Sequence, residues 1–170
     1  MYEYKKNGYS TFKITNKLLL FTLWVRQAAN KFLKICGGTI LEKQIGKQSV
    51  RFENPPYIMS SAAIVGQKEG EGPYGKFFDE ILNDDKAGCE CWEEAEGKLQ
   101  EMAANKALSK SGLEKKDIRY IVAGDLLGQL MASSFGLMKL EIPMFGIYGA
   151  CSTMGESISI ASMLVDGGYA

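Results

Sequence analysis

A strand, a corner and a helix around Cys151 constrain this chain more than any other feature. Residues 142–148 (IPMFGIY) form an apolar run that predicts a buried strand, and the corner at Gly149 then delivers Cys151 to the first turn of a helix. A helix N-terminus carries free N–H groups and a partial positive charge, so it stabilises a thiolate. A cysteine at this place can therefore act as a nucleophile, whereas a cysteine buried in mid-helix is inert.

The helix predicted at residues 152–166 combines an apolar line with small side chains on several faces. The apolar line contains Met154, Ile158 and Val165, and the small residues are Gly155, Ser157, Ser159, Ala161 and Ser162. A helix with small side chains on several faces is more typical of the crowded centre of a fold than of its surface. We therefore expect a central buried helix whose first turn presents Cys151.

Strand and helix patterns alternate along the chain from residue 49 onward. The predicted strands are residues 49–52, 57–65, 118–123 and 142–148, and the predicted helices are residues 76–82, 91–110, 126–137 and 152–166, with a turn at 54–56 and a loop at 66–75. Alternation at these lengths indicates a parallel sheet with right-handed crossovers. The predicted fold class is α/β, with a mixed, mostly parallel sheet.

Composition excludes several classes of function. The chain has 20 basic and 20 acidic residues, which argues against a general nucleic-acid binder, because such binding rests on an excess of cations. It has no histidine, so a Cys-His dyad, a Ser-His-Asp triad and a His-containing zinc site are excluded within this chain. The four cysteines are irregularly spaced, which favours a reducing compartment. We interpret Cys89 and Cys91 as two partly buried thiols at a helix start.

Residues 1–44 form a lysine-rich region apart from the rest. Its apolar run, residues 18–25, is far shorter than the roughly 20 residues that span a bilayer, and Arg26 ends it without a cleavage site, so we predict no secretion. An amphipathic helix is expected at residues 16–33. Three interpretations compete: a genuine extension, a helix that contacts a membrane or a partner, and sequence translated upstream of the real start.

Four residues near the corner have both a structural and a functional interpretation. Asp125 follows the predicted strand 118–123, which is expected to lie beside the strand that precedes Cys151. Its carboxylate therefore either caps a helix or faces a ligand at the carboxyl end of the sheet. Ser152 and Thr153 either satisfy local N–H groups or lie beside an anion bound at the helix N-terminus. Cys151 is either a nucleophile or a small filler in a tight corner.

Several separated motifs, in order, are similar to one known family. The sequence resembles the N-terminal half of the stage V sporulation protein AD family at residues 46–55 (GKQSVRFENP), 70–73 (GEGP), 123–127 (AGDLL), 149–153 (GACST), 156–157 and 166–168. The resemblance implies a thiolase-like fold in which residues 45–170 form a truncated N-terminal half. The resemblance does not extend to residues 1–44, which favours the interpretation that they are translated from sequence upstream of the real start.

The resemblance also implies a function. The family is implicated in moving dipicolinic acid into the spore, so we expect non-catalytic binding of dipicolinic acid or its calcium chelate by Asp125, Gly149, Cys151, Ser152 and Thr153. Calcium enters only with the ligand, and no cofactor or protein-bound metal is expected. The expected partners are other stage V sporulation A membrane proteins and a second copy of the chain, with no nucleic acid, at the cytoplasmic periphery of the forespore membrane.

The alternative function is that of a thiolase-like or ketoacyl-synthase-like acyltransferase. Cys151 would then be the acyl-accepting nucleophile. A working enzyme of this kind needs a His/Asn or a His/Cys set opposite the cysteine, and in the family resemblance that set belongs to the other half. The two functions therefore differ in residues that this sequence does not contain.

Overall fold

The computed structural model describes residues 43–52 and 55–170. The helix predicted at residues 16–33 lies outside them, as do nearly all of the predicted region 1–44 and part of the turn at 54–56. The chain divides into two compact units, Met1–Arg51 and Phe52–Ala170. The described part of the first unit is a small antiparallel hairpin, in which β1 (Gln44–Ile45) pairs with β2 (Ser49–Val50).

The second unit contains two parallel strand pairs. β3 (Ile64–Val65) pairs with β4 (Glu80–Ile81), and β5 (Ile121–Ala123) pairs with β6 (Met144–Gly146). The α/β class and the parallel pairing agree with the sequence prediction. The expected continuous sheet does not form among the described residues, where each sheet has two strands.

In the part of the chain that the structure describes, four helices accompany these strands: α1 (Gln67–Gly70), α2 (Trp92–Ser111), α3 (Met131–Leu137) and α4 (Thr153–Asp166). Helix α2 ends at Gly112, which has φ of +73° and so suits the left-handed C-terminal position. The predicted bounds of α2 and α4 are confirmed to within one residue. No helix in residues 43–52 and 55–170 has the length and apolar character to cross a membrane.

The helix predicted at residues 76–82 is wrong. A 3-10 turn at Gly75–Phe77 is followed by β4 instead. The reason is tertiary pairing, because the backbone N–H of Leu82 donates to the carbonyl of Val65 over 2.8 Å. The loop predicted at residues 66–75 is also corrected, since it contains the one-turn helix α1.

The most deeply buried residues lie where α2 crosses α3. Ser133 is fully buried, and the buried apolar residues are Ala95, Ala132, Leu137 and Leu140. Gly97 and Gly136 bring the two helix backbones together, since a Cβ built on Gly136 would overlap the carbonyl of Gly97 and lie 2.8 Å from its Cα. Side chains larger than hydrogen are therefore excluded at positions 97 and 136.

Helix α4 differs from its prediction. It packs against β5, but none of its residues is buried, and Met154 is 75% exposed. The expected central buried helix is thus not buried by the described residues. The physical reason is that small residues permit close packing without supplying the atoms that must pack against them.

Candidate functional site

The corner before Cys151 is built by local hydrogen bonds. After β6, the N–H of Ile147 donates to the carbonyl of Ala123 over 2.9 Å and extends the pairing with β5. The N–H of Gly149 then donates to Thr153 Oγ1 over 3.2 Å. A 3-10 turn, Ala150–Ser152, leads into α4. Cys151 lies in this turn, and the residue is exposed in the described part of the chain.

Ala150 gives the corner an unusual backbone. Its φ of +49° lies in the left-handed region, which residues other than glycine seldom adopt. This conformation costs about 1 kcal/mol for a residue with a Cβ. The chain therefore holds Cys151 after a strained residue, and the surrounding bonds must maintain that geometry.

Ser152 and Gly149 lie against the first turn of α4. The Ser152 hydroxyl is 2.8 Å from the carbonyl of Gly149 and also contacts Glu156 Oε1 closely. A Cβ built on Gly149 would overlap the side chains of Ser152 and Glu156. The helix-start interpretation agrees with the contact of Thr153, whose hydroxyl accepts a hydrogen bond from the N–H of Gly149. It is wrong for Ser152, whose hydroxyl donates to a carbonyl and caps no N–H group of α4.

Asp125 is a buried carboxylate with its partners in place. Only 4% exposed, it accepts hydrogen bonds from the N–H of Leu130 over 2.6 Å and from the N–H and hydroxyl of Ser133 over 2.9 and 3.2 Å. Burial opposes its ionisation, but these hydrogen bonds outweigh burial and hold the pKa of Asp125 below its usual value. The capping interpretation agrees with this geometry, although α3 begins only at Met131.

Sequence reasoning missed the residues that α2 directs at the same loop. Glu96 accepts hydrogen bonds from the N–H groups of Leu126 and Leu127 over 2.6 and 3.0 Å. One turn later, Gln100 donates to the carbonyl of Gly124 over 3.3 Å. A glutamate on an amphipathic helix is indistinguishable from a solvated charge in sequence, and its partners are about 30 positions away.

Gly124 allows the ends of β5 and β6 and the start of α4 to meet. A Cβ at this position would overlap the carbonyl of Ile147 and lie 2.9 Å from Thr153 Cγ2. The prediction that Asp125 and Cys151 follow neighbouring strands is confirmed by the pairing of β5 with β6. The glycine of the AGDLL motif is therefore a packing requirement of the corner.

A large open cavity lies beside the corner. Its volume is about 990 Å³, and α2, β5, the start of α4 and residues 57–62 contribute to its wall. Of the five predicted site residues, Asp125, Cys151 and Thr153 line the cavity, whereas Gly149 and Ser152 do not. The wall is mostly apolar, and its charged members are Glu96 and Asp125, with no lysine or arginine among the described residues.

Among the described residues, Cys89, Cys91 and the acidic groups form no metal centre. Cys89 is half-buried, but Cys91 is exposed at the N-cap of α2, which corrects the expectation that both thiols are partly buried. In the described ranges, 43–52 and 55–170, no three cysteine or acidic side chains come close enough to hold a metal ion.

Two comparisons with known proteins cover this part of the chain. The sequence profile of the stage V sporulation protein AD family matches residues 46–170. Stage V sporulation protein AD of Bacillus subtilis (strain 168) is 42% identical over 128 residues, which make up 75% of this chain and 38% of that relative. The chain thus spans well under half the length of this curated relative. On both matches, the chain belongs to the stage V sporulation protein AD family, a family of sporulation proteins.

Proposed function

We propose that this chain contributes to non-catalytic binding of dipicolinic acid, as its calcium chelate, in a thiolase-like protein of which residues 45–170 form the N-terminal half. The observation that carries the proposal is the charge of the cavity wall beside Cys151. Its charged residues, Glu96 and Asp125, are both acidic, and the rest of the wall is largely apolar. Such a wall suits a flat ligand whose own charge is already compensated.

The calcium in this proposal belongs to the ligand. Free dipicolinate carries two carboxylates, and two acidic residues in the wall would repel it. In the chelate, calcium neutralises the ligand and accepts oxygen donors, so that carboxylates nearby no longer oppose binding. The N–H groups at the start of α4 would receive a ligand carboxylate. Cys151 would then contribute a wall contact and not a bond-forming step.

The proposal extends to partners and location. The partners are the other stage V sporulation A membrane proteins and a second copy of this chain, and the site of action is the cytoplasmic periphery of the forespore membrane. Nucleic acid is not a proposed partner. Family membership supports the proposal of the stage V sporulation A proteins as partners. The equal numbers of acidic and basic residues support the proposal that nucleic acid is not a partner.

Calorimetry on a chimera tests the binding proposal. Residues 46–170 would replace the matching segment of the Bacillus subtilis relative, and the chimera would be titrated with calcium dipicolinate, with dipicolinate and chelator, and with calcium alone. We expect heat of binding with the chelate and much weaker binding without calcium. Equal affinity for free dipicolinate would overturn the role given to the acidic wall.

Two substitutions in the chimera localise the binding. Cys151→Ala should change the affinity for the chelate by only about threefold, because an apolar wall contact is worth about 1 kcal/mol or less. Gly149→Val should weaken binding more, because its side chain would displace Ser152 and Glu156 from the first turn of α4. The reverse order of effects would place the ligand elsewhere.

The exposure of Cys151 favours one second candidate, an acyltransferase. A thiol that is accessible in the turn before α4 has the position of an acyl-accepting nucleophile. The chain has no histidine to serve as its base, so the chimera again provides the fair test. Incubation with acyl-CoA, followed by mass spectrometry of the Cys151 peptide, would detect an acyl-enzyme. Cysteine-dependent acyl transfer without dipicolinate binding would establish the enzyme instead.

A further inference from the structure

One residue, Leu126, connects α2 to the corner that presents Cys151. The N–H of Leu126 donates to Glu96 Oε1 on α2, over 2.6 Å. The carbonyl of the same residue accepts a hydrogen bond from the hydroxyl of Tyr148, over 3.4 Å. Tyr148 immediately precedes Gly149, so Leu126 is bonded both to α2 and to the residue that leads into the corner.

Polar contacts, and not burial of their side chains, hold Leu126 and Leu127 in place. The side chains of Leu126 and Leu127 are each 53% exposed, so the hydrophobic effect contributes little to their position. Glu96 bonds to both N–H groups, and Gln100 bonds to the carbonyl of Gly124, one turn further along α2. Bonds to an ionised carboxylate are shorter and stronger than bonds between neutral groups. Glu96 is therefore the principal anchor of the loop on α2.

The corner needs such an external anchor. Ala150 is in the left-handed region, which its own conformational preference opposes. The bonds within the corner come from exposed or half-buried groups at Gly149, Ser152 and Thr153. Such bonds open readily in water, and a link to the long helix α2 would restrict that opening.

We propose that Glu96 is a positioning residue, which acts through Leu126 and Tyr148 to hold the Cys151 corner in place. The inference rests on the proposed function in one respect only, namely that this corner is the ligand site. Glu96 is given no contact with the ligand in this role, in which each of its oxygens accepts one backbone N–H group.

Amide hydrogen exchange, resolved by residue, tests the connection on the 170-residue chain without any ligand. In Glu96→Gln, the Leu126 or Leu127 amide should exchange about tenfold faster, the change expected when a charge-assisted hydrogen bond is lost. The Ser152 amide, which donates to Gly149 in the corner, should also exchange about threefold faster. Glu93→Gln, which removes the same charge from an exposed position on α2, should change neither.

Tyr148→Phe provides the second arm. The hydroxyl that it removes belongs to a side chain that is 47% exposed, so the variant should fold like the parent. We expect the Ser152 amide to accelerate about as much as in Glu96→Gln, and the double variant to be no faster than either one, because both act through Leu126.

Two results would overturn the proposal. One is faster exchange confined to the Leu126 and Leu127 amides in Glu96→Gln, which would make Glu96 a local cap alone. The other is additive acceleration at Ser152 in the double variant, which would mean that Glu96 and Tyr148 act independently. Because no ligand is present, failure here is distinguishable from failure of the proposed binding function.

Discussion

The α2–α3 crossing and the face of α4 have similar residues and opposite environments. At the crossing, Ser133 is fully buried and Gly136 lies against the backbone of Gly97. On α4, no residue is buried, and a Cβ built on Gly155 would have no neighbour within 4 Å. Both segments are rich in glycine, alanine and serine. Small residues therefore determine how closely two elements can approach, but not whether a second element is there.

The difference also determines where polar groups stabilise the fold. Beside the crossing, Asp125 accepts three hydrogen bonds in a buried setting, whereas the Ser152 hydroxyl at the start of α4 is exposed. Water can replace a lost bond in the second case but not in the first. Substitutions in the two regions should therefore change the free energy of unfolding by different amounts and, in some cases, in opposite directions.

Asp125→Ala should give the largest loss. It leaves the N–H groups of Leu130 and Ser133 and the Ser133 hydroxyl without their acceptor, which should cost about 3 kcal/mol in the free energy of unfolding. Urea denaturation measures this directly. Asp84→Ala is the matched control, since the Asp84 carboxylate also accepts two N–H groups but is exposed. A loss as large for Asp84 would show that burial is not what distinguishes the two.

The free energy of unfolding, measured against pH for the parent chain and for Asp125→Asn, checks the cause. The folded pKa of Asp125 lies below its unfolded value, which is about 3.9 for aspartate. Its contribution to stability is therefore fully present above about pH 4 and lost as the pH falls through the folded pKa. Asp125→Asn should flatten this acid limb. If Asp125→Asn lost stability at acid pH as steeply as the parent chain, the loss would be due to other carboxylates, such as Asp79, whose bond to Lys110 also lowers its pKa.

Replacement by alanine should change the free energy of unfolding in opposite directions at two helical glycines. Gly136→Ala should cost about 2 kcal/mol, because its Cβ would overlap the rigid backbone of Gly97. Gly155→Ala should stabilise by about 0.5 kcal/mol, because alanine favours the helix and open space surrounds the site. Thermal unfolding of the two variants measures the contrast. Destabilisation by Gly155→Ala would mean that α4 is more closely packed than its exposure indicates.

The smallest change in stability is expected on the exposed face of α4. Met154→Gln combined with Ile158→Gln should change the free energy of unfolding by less than about 0.5 kcal/mol, because neither side chain is buried. The same variant should bind less of a hydrophobic dye, since it removes part of an exposed apolar surface. A large loss of stability with no change in dye fluorescence would reverse the assignment of the two regions.

The local parts of this structure could be predicted and the tertiary parts could not. Helix α2 has a repeating apolar pattern and a terminal Gly112, and both are visible in the sequence. Helix α3 begins at Met131 and not at residue 126, because Glu96 and Asp125 take up the preceding N–H groups in a non-helical loop. Nothing periodic marks a bond between residues 30 positions apart.

The candidate site divides in the same way. The pairing of the strand before Cys151 with the one before Asp125 follows from strand and helix patterns, and the structure confirms it. Cys151 itself lies in the 3-10 turn that precedes α4 and not in the first turn of the α-helix. Glu96, Gln100 and Tyr148 were not predicted, since each is an ordinary residue type on an ordinary element. The role of Glu96 and Gln100 depends on which face of α2 meets the loop, and that face is set by tertiary packing that no local pattern encodes.

The backbone of Ala150 limits which sequences can be accepted at the corner. In a library of all substitutions at this position, glycine should be enriched, because it adopts φ near +49° without cost, and asparagine should follow. Valine and isoleucine should be depleted, because a branched Cβ is incompatible with that conformation. The residues accepted at position 150 would thus reflect the φ angle that the corner requires. Homologues with glycine there would have a more flexible corner beside the same cysteine.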